Sequence, residues 1–253
     1  MQMAIVLITG TSTGIGRACA EFFRARGDRI YGGSRKPDVS SNESVTSAVS
    51  DILRREGRID IVINNAGIAV AGAVEDVSLE AAKEQFEVNF FGALRVCRAV
   101  LPAMRAQGSG YIINISSIAG LAAVPYQGLY SASKFALEGL SESLRMETRH
   151  LGIKVVLVEP GDHRTSFTRN RRTVAPTEPY KHRFRQAIER MEKDEQNGPG
   201  PAGVAKLIGR IVEMPSPRLR YTVGPAPERA MVWLKRLMPY WVVEATMKNY
   251  YAR

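Results

Sequence analysis

Short runs of Val, Ile and other apolar residues alternate along the chain with longer segments in which apolar residues recur every three or four positions. Short apolar runs are typical of buried strands, and the longer period is typical of amphipathic helices. The predicted strands are Ala4 to Thr9, Arg29 to Gly33, Asp60 to Ile63, Tyr111 to Ile115, Lys154 to Glu159 and Arg220 to Val223. Regular alternation of strand and helix predicts an α/β fold whose parallel sheet is covered on both faces.

Two segments have a clear helical period. Residues 89–104 carry apolar side chains at spacings of three and four, among them Leu94, Cys97 and Leu101, and residues 129–149 repeat the pattern. Both segments are predicted to be amphipathic helices.

Composition limits the class of protein. The 253 residues show no repeat and no long linker, so we expect a single domain, residues 1–253. Lys and Arg number 35 against 25 Asp and Glu, a net charge of +10, and much of the excess lies in residues 164–190. Aromatic residues are not interleaved there as a single-strand groove requires, so no nucleic-acid partner is expected. Solvated or lid cations are the favoured interpretation, and an acidic membrane surface or ligand is the alternative.

The positions of the cysteines and histidines argue against disulfide bonds and against a metal site. Cys19 and Cys97 lie far apart in apolar helical patterns, which predicts buried thiols in a reducing compartment. His150, His163 and His182 are scattered without a nearby acidic cluster, so no metal site is predicted. The first apolar run is too short for a signal peptide, and no apolar stretch approaches the ~20 residues of a membrane span. We expect a cytoplasmic protein.

The C-terminal tail, residues 229–253, mixes bulky apolar and cationic residues. Peripheral contact with a bilayer is one interpretation of this pattern. Packing over a pocket or against a second subunit is the more common use, and both interpretations are kept.

The segment TGTSTGIG, residues 9–16, follows the first predicted strand and opens a predicted helix. Gly10, Gly14 and Gly16 let the backbone approach a pyrophosphate closely, and the start of the helix offers free N–H groups and the positive end of its dipole. The flanking strand and helix favour a dinucleotide site over an ordinary tight turn.

Tyr130 and Lys134 lie four residues apart in YSASK and would share one face of a helix. A cation at ~4 Å contributes about 4 kcal/mol at an effective dielectric near 20, enough to lower the pKa of a phenol from ~10 to about 7. Ser117 follows the predicted strand YIINIS and can bring a hydroxyl to a carbonyl oxygen in the same cavity. Considered alone, the Tyr130–Lys134 pair could equally lie on an exposed helix face. Ser116 and Ser117, considered alone, could equally be cap or turn residues.

The motifs occur together in a distinctive order. TGTSTGIG is followed by NNAG at residues 64–67, Asn89 in VNFFG, ISS before YSASK, and PGDHRT at residues 160–165. In order and spacing, residues 4–166 resemble the short-chain dehydrogenase/reductase family, and within it the branch of 17β-hydroxysteroid and retinol dehydrogenases. The resemblance implies a single-domain Rossmann fold, a doubly wound parallel sheet with helices on both faces.

The resemblance also implies two sets of site residues. The catalytic set is Asn89, Ser117, Tyr130 and Lys134. The cofactor-binding set is Gly10, Ser12, Thr13, Gly14, Ile15, Gly16, Arg35, Lys36, Asp38, Val39, Asn65, Ala66, Gly67, Tyr130, Lys134, Pro160, Gly161 and Thr165.

Each member of the catalytic set has an implied role. By resemblance, Tyr130 exchanges the proton with the substrate oxygen, and Lys134 lowers its pKa and holds the nicotinamide ribose. Ser117 orients the carbonyl, and Asn89 holds a water for proton relay. The hydride comes from the cofactor.

The cofactor-binding residues divide by the part of the dinucleotide they meet. Residues 65–67 would line the adenosine ribose side and stabilise the central strand, and Ile15 would lie beside the glycines. Pro160, Gly161 and Thr165 would face the nicotinamide.

The end of the second predicted strand distinguishes the two nicotinamide cofactors. A carboxylate there binds the 2′-hydroxyl of NAD, whereas a cation accommodates the 2′-phosphate of NADP. The chain has Arg35 and Lys36 at this position and no acid before Asp38. NADP(H) is therefore expected in preference to NAD(H), with Arg35 as the main contact and Lys36 secondary.

The sequence departs from the family pattern directly after this position. Relatives continue into a helix and a third strand, whereas here Pro37 leads straight to Asp38 and Val39, the expected adenine contacts. The absent material amounts to about 17 to 20 residues by average element lengths. The fold is expected to lack one edge helix and strand, which leaves strand two at the sheet edge and weakens the case for adenine binding.

These features predict an NADP(H)-dependent oxidoreductase that interconverts a carbonyl and an alcohol on a fairly apolar small molecule. Residues 164–215 are expected to form a lid over the substrate through Phe167, Val174, Tyr180, Phe184 and Met191. The alternative is a catalytically silent dinucleotide-binding sensor or scaffold of the same fold. By resemblance we expect a homodimer or homotetramer.

Overall fold

The computed structural model describes residues 3–33, 37–235 and 237–251. Within them the chain forms a main sheet of parallel strands and a small two-stranded sheet. The strands are β1 (Ile5–Ile8), β2 (Arg29–Tyr31), β3 (Ile61–Asn64), β4 (Val70–Ala71), β5 (Gly110–Ile115), β6 (Ile153–Pro160), β7 (Arg172–Thr173) and β8 (Arg220–Val223). The strands predicted from the apolar runs all form, with ends within two residues of the expected positions.

Helices connect the strands as the alternating pattern predicts. They are α1 (Gly14–Ala25), α2 (Asn42–Glu56), α3 (Leu79–Phe86), α4 (Gly92–Gln107), α5 (Gly128–Thr148), α6 (Phe167–Asn170), α7 (Lys181–Asn197), α8 (Ala202–Ile211), α9 (Ala226–Lys235) and α10 (Tyr240–Tyr251). The helix expected from residue 89 onward begins with a π-helical turn, Glu87–Phe91, before α4 continues regularly.

The main sheet has the strand order β2-β1-β3-β5-β6-β8, and every neighbouring pair is parallel. The chain runs outward from β1 to β2 and then crosses back to β3 on the other side of β1. This reversal opens a crevice at the carboxyl ends of β1 and β3, the place where open α/β sheets bind ligands. The doubly wound Rossmann fold predicted from the sequence is confirmed.

In the described part of the chain, β2 lies at the edge of the sheet. Between β2 and α2, residues 32–33 and 37–41 form no further strand or helix, in line with the shortened connection. The edge strand is anchored instead by Glu56 at the end of α2, which accepts hydrogen bonds from Arg29 and from the Tyr31 hydroxyl. Because exposed strand edges invite pairing with other chains, side-chain anchoring of this kind protects the edge.

The two faces of the sheet carry separate apolar clusters. On one face α2 and α4 pack through residues such as Val49 and Val100, which are almost fully buried. On the other face α1 and α8 pack through Phe23 and Ile208. Layers of helices on both sides explain why the strands read as continuous apolar runs rather than alternating ones.

The predicted lid, residues 164–215, is wrong at its C-terminal end. Helix α8 lies inside that range, yet it belongs to the core, because Val204, Ile208 and Ile211 are completely buried. A Cβ added to Gly209 would lie 2.3 Å from the Phe22 ring, which shows how closely α8 packs against α1. Within residues 164–215, the part that lines the cavity therefore ends with α7.

The C-terminal tail forms two helices, α9 and α10. Helix α10 packs against α7, where Arg190 and the Tyr250 hydroxyl both bond to the Asp194 carboxylate. Trp233 on α9 and Trp241 on α10 are exposed. No helix in the described ranges is both long and apolar enough to cross a membrane.

Candidate active site

The glycine-rich turn connects β1 to α1. Gly10 and Gly14 have φ values of +68° and +57°, a region that favours glycine. A Cβ on Gly16 would lie 2.1 Å from the Gly10 oxygen, so the turn can close only with glycine there. Thr13 precedes the helix without capping it through its side chain, which leaves the first N–H groups of α1 free for an anion.

The end of β3 is joined to this turn by hydrogen bonds. The Asn65 side-chain amide donates to the oxygens of Thr9 and Gly10, at 3.0 and 2.9 Å. The backbone N–H groups of Asn65 and Ala66 in turn donate to the Thr9 hydroxyl. The bonds hold the ends of β1 and β3 together at the crevice, the stabilising role that the resemblance implies for residues 65–67.

The chemical side chains come from β5 and α5. Ser117 follows β5, and its Oγ accepts a hydrogen bond from Ala119 N at 3.1 Å. Tyr130 and Lys134 lie one turn apart on α5, and both are buried. The Tyr130 ring packs against Phe167, with centroids 5.6 Å apart, at the start of the covering segment.

A single cavity of about 350 Å³ unites the glycine turn with these side chains. Among the predicted site residues that the structure describes, all but four line it, and these four are Gly16, Asn89, Asp38 and Val39. Thr165 also reaches the glycine turn, because a Cβ on Gly14 would lie 3.4 Å from Thr165 Cβ. The backbone turn, the free N–H groups and the nearby hydroxyls therefore fit a dinucleotide with its nicotinamide end toward Tyr130.

Burial controls the protonation of the two central residues. It raises the pKa of Tyr130 to about 12, although a hydrogen bond with Ser117 acts in the opposite direction. Burial also lowers the pKa of Lys134 to about 8, against the attraction of Glu138. The sequence predicted a phenol pKa lowered by the cation. In the protein alone the loss of hydration raises the pKa instead, and the phenol is held neutral.

Asn89 lies outside the cavity and is almost fully buried. Its Oδ1 accepts from Ile68 N at 2.8 Å, and its Nδ2 donates to Ile68 O and Ser133 Oγ, both at 3.0 Å. The side-chain amide is thus fully engaged by protein groups. Asn89 also lies in the π-helical turn, and its role in a proton relay stays a prediction.

The adenine half of the predicted site is only partly described. Asp38 accepts hydrogen bonds from Ser40, and Val39 is buried against Gly92, so neither lines the cavity. Their adenine contact stays a prediction. Arg35 and Lys36, the expected 2′-phosphate ligands, lie outside the described residues.

Sequence reasoning missed several cavity residues, namely Gln127, Asp162, Asn170, Glu195 and Tyr251. A signal existed for one of them. Phe184, Ala187, Met191 and Glu195 follow at spacings of three and four on α7, and all four are buried. A carboxylate in the last position of an otherwise apolar stripe is unusual, because charged side chains are rarely buried unless they are paired, and Glu195 pairs with Arg171. Of the expected lid residues, Phe167 and Met191 line the cavity and Val174, Tyr180 and Phe184 do not.

Comparison with known proteins agrees with the fold. A short chain dehydrogenase family model matches residues 33–175, a range that begins at the shortened connection after β2. The chain is 41% identical to a 3-ketodihydrosphingosine reductase of Bacteroides thetaiotaomicron, over 100% of this chain and 99% of that protein. It is 35% identical to the uncharacterized oxidoreductase YbbO of Escherichia coli K12, over 96% and 94% of the two chains.

Solved structures give the same result. A short-chain dehydrogenase from Streptomyces avermitilis has a TM-score of 0.82 at 31% identity, covering 98% of this chain and 96% of that one. Two other structures of the same fold contain a dinucleotide. A Burkholderia phymatum member is bound to NAD (24% identity, TM-score 0.78, covering 93% and 94%), and ElxO is bound to NADP (26%, 0.70, covering 83% and 92%).

The fold and the cavity define an α/β oxidoreductase of the dinucleotide-binding class. The chain belongs to the short-chain dehydrogenase/reductase family. It is an oxidoreductase acting on CH–OH donors, and the NADP-bound ElxO structure, at 26% identity, supports a nicotinamide cofactor.

Proposed function

We propose that this protein is an NADP(H)-dependent reductase of apolar ketones in which Tyr130 is the proton donor. The observation that carries the proposal is that Tyr130, Ser117 and Lys134 line one cavity with the glycine turn. A bound reduced nicotinamide supplies the hydride. Ser117 Oγ and the Tyr130 hydroxyl hold the carbonyl oxygen on which negative charge develops.

The protonation of Tyr130 favours the reductive direction. A phenol whose pKa is raised to about 12 carries its proton at neutral pH and can donate it to an alkoxide oxygen. Lys134 is positioned to bond a ribose hydroxyl, since its Nζ lies near Gly67 at the edge of the cavity. Oxidation of an alcohol requires the phenolate, which burial disfavours.

The cofactor preference rests on Arg35 and Lys36, because a cation at the end of β2 suits a 2′-phosphate and no carboxylate competes with it. The choice of an apolar substrate rests on Phe167 and Met191, which line the cavity beside Tyr130. The similarity to a 3-ketodihydrosphingosine reductase supports a long-chain ketone.

The experiment is a spectrophotometric assay of NADPH oxidation with long-chain ketones, 3-ketodihydrosphingosine first, run in parallel with NADH. Turnover with NADPH supports the proposal, and turnover that needs NADH contradicts the cofactor assignment. Tight cofactor binding without turnover of any ketone would favour the silent sensor. That alternative gives no reason for Ser117, Tyr130 and Lys134 to share a cavity.

The assembly and surroundings of the protein also stay proposals. Phe91, in the π-helical turn before α4, and Phe135, on α5, are 42% and 43% exposed, which supports a homo-oligomer that pairs through these helices. We also propose that the C-terminal tail contacts a membrane surface, since it exposes Trp233, Tyr240 and Trp241. We also propose that the protein is a single domain and acts in the cytoplasm.

A further inference from the structure

The Gln127 side chain lies in the cavity without a structural role. Gln127 lines the cavity together with Tyr130 and is only 6% exposed. It occupies the N-cap position of α5, yet its side chain makes no capping hydrogen bond. Its backbone groups hold the start of the helix, because its N–H donates to Val124 O and its oxygen accepts from Ser131 N. The side-chain amide is therefore not needed to begin α5.

The amide of Gln127 has only a weak partner in the protein. Its Nε2 donates to the Met191 sulfur at 3.0 Å, and a thioether is a weak acceptor. Among the described residues its Oε1 has no hydrogen-bond partner, and it is not one of the completely enclosed oxygens. Because Gln127 lines the cavity, this oxygen is open to it. A buried amide without a full partner is costly and requires an explanation.

The backbone just before Gln127 is strained. In the described part of the chain, Tyr126 is the one residue other than glycine with a positive φ, +61°. Side chains disfavour this left-handed conformation, and such strain is concentrated at functional sites. Tyr126 is held in it by a hydrogen bond from Gly72 N to its oxygen, 2.9 Å, and by its ring packing against Phe184. The strained turn leads directly into Gln127, the residue whose amide is open to the cavity.

The chemistry of the amide limits the group that it can bind. It offers both a donor and an acceptor and carries no charge, which matches a hydroxyl group. Gln127 precedes Tyr130 by three residues, a separation of about 5–6 Å between Cβ atoms on a helix. A hydroxyl bound by Gln127 therefore lies close to the carbonyl oxygen assigned to Tyr130. A hydroxyl two carbons from the carbonyl spans this separation better than one on the adjacent carbon.

We propose that Gln127 binds a substrate hydroxyl two carbons from the carbonyl, so that the preferred substrates are β-hydroxy ketones with an apolar chain. The inference rests on the proposed function, because it names the substrate class of that same site. Gln127 Oε1 accepts the hydroxyl hydrogen, and an N–H of the amide donates to the hydroxyl oxygen. Phe167 and Met191, which line the same cavity, contact the apolar chain.

The test compares a long-chain β-hydroxy ketone with the ketone that has a methyl group in place of the hydroxyl, with NADPH and NADH both present. The expected result is a higher kcat/KM for the hydroxy ketone in the wild type. Gln127→Met keeps the length of the side chain and removes the amide. It should lower the hydroxyl-to-methyl ratio of kcat/KM by roughly three- to tenfold, the size of a neutral hydrogen bond.

The ratio separates recognition from damage to the fold. Because it is taken within each variant, loss of folded protein cancels, and a merely structural role of Gln127 would slow both substrates alike. Gln196→Met is the matched control, since Gln196 is exposed on α7 and does not line the cavity. It should keep the wild-type ratio. Equal kcat/KM values in the wild type, or equal ratios in the wild type and Gln127→Met, would overturn the inference while leaving ketone reduction intact.

The two proposals fail in different ways. If neither ketone is reduced, the proposed function fails, and calorimetric titration in the presence of NADP then tests the inference alone. The probes are the corresponding 1,3-diol and the alcohol with a methyl group in place of its second hydroxyl. Tighter binding of the diol, lost in Gln127→Met, supports the hydroxyl subsite. Equal binding of the two probes, or binding of neither, rejects it.

Discussion

Lys134 lies with its Nζ 5.8 Å from the ring centre of Tyr130, and that Nζ donates a hydrogen bond to Ile115 O at 2.9 Å. The buried cation is thus held by a backbone oxygen at the end of β5. Burial sets the protonation of both residues, with the pKa of Tyr130 at about 12 and that of Lys134 at about 8. Near neutral pH both therefore carry their protons, the state required for reduction.

Replacing Tyr130 with Phe should abolish reduction and preserve cofactor binding. The change removes one hydroxyl and leaves the ring against Phe167, so the cavity keeps its shape. Loss of a general acid costs about 10²- to 10⁴-fold in rate. Stopped-flow turnover and NADPH fluorescence titration measure the two properties, and an active Phe variant would contradict the assigned role.

NADPH affinity should fall as pH rises above about 8. The pKa of Lys134 is lowered by burial, so its charged form dominates below that pH and is lost above it. Each pH unit beyond the pKa should cost up to about tenfold in affinity, and Lys134→Met should flatten the profile. The pKa of Asp162 is also about 8, so Asp162→Asn is the control, and it should keep the wild-type slope.

Arg35→Ser should narrow the preference for NADPH over NADH. The substitution removes the main cation expected at the 2′-phosphate, and a charge-assisted hydrogen bond contributes about 1.5 to 3 kcal/mol, or roughly ten- to hundredfold. Lys36→Ser is the matched comparison and should have the smaller effect. Equal NADPH-to-NADH ratios in the wild type and Arg35→Ser would place the 2′-phosphate contact elsewhere.

Ile208→Ala should destabilise the whole domain. Ile208, on α8, is completely buried in the apolar cluster that also contains Phe23 of α1, and loss of such a side chain costs about 2 to 5 kcal/mol. Leu79→Ala is the control, because Leu79 is 72% exposed and its truncation should stay within about 0.5 kcal/mol. Urea unfolding measures both. A negligible effect at Ile208 would mean that α8 is a loosely attached lid after all.

Vesicles with acidic lipid should bind the protein through the C-terminal tail. Trp233 and Trp241 are 63% and 71% exposed, and residues 229–253 carry five Lys or Arg against one Glu. Replacing both tryptophans with Ser should reduce co-sedimentation, whereas the Ser variant of Val74, an exposed apolar residue outside the tail, should not. Equal sedimentation of the tryptophan variant and the wild type would exclude this surface.

The sequence alone was sufficient for the strands, the glycine turn and the positions of Ser117, Tyr130 and Lys134. The sequence features that predict them are local. The spacing of apolar residues, the glycine at position 10 and the four-residue spacing on a helix each depend only on neighbouring residues. It also predicted that β2 would lie at the sheet edge, since the connection to α2 is too short for another strand. The lid predicted from the sequence was too long. The apolar positions of α8 have the same spacing whether the helix covers a cavity or packs against α1.

Tertiary structure alone decided the charge and protonation of the site. Asp162, Glu195 and Glu228 lie far apart in sequence, and only the packing of α7 and α9 beside the end of β6 brings them together. The raised pKa of Tyr130 has the same origin. The sequence places a cation four residues from the phenol, but how much water the fold removes from both groups depends on every segment packed around them.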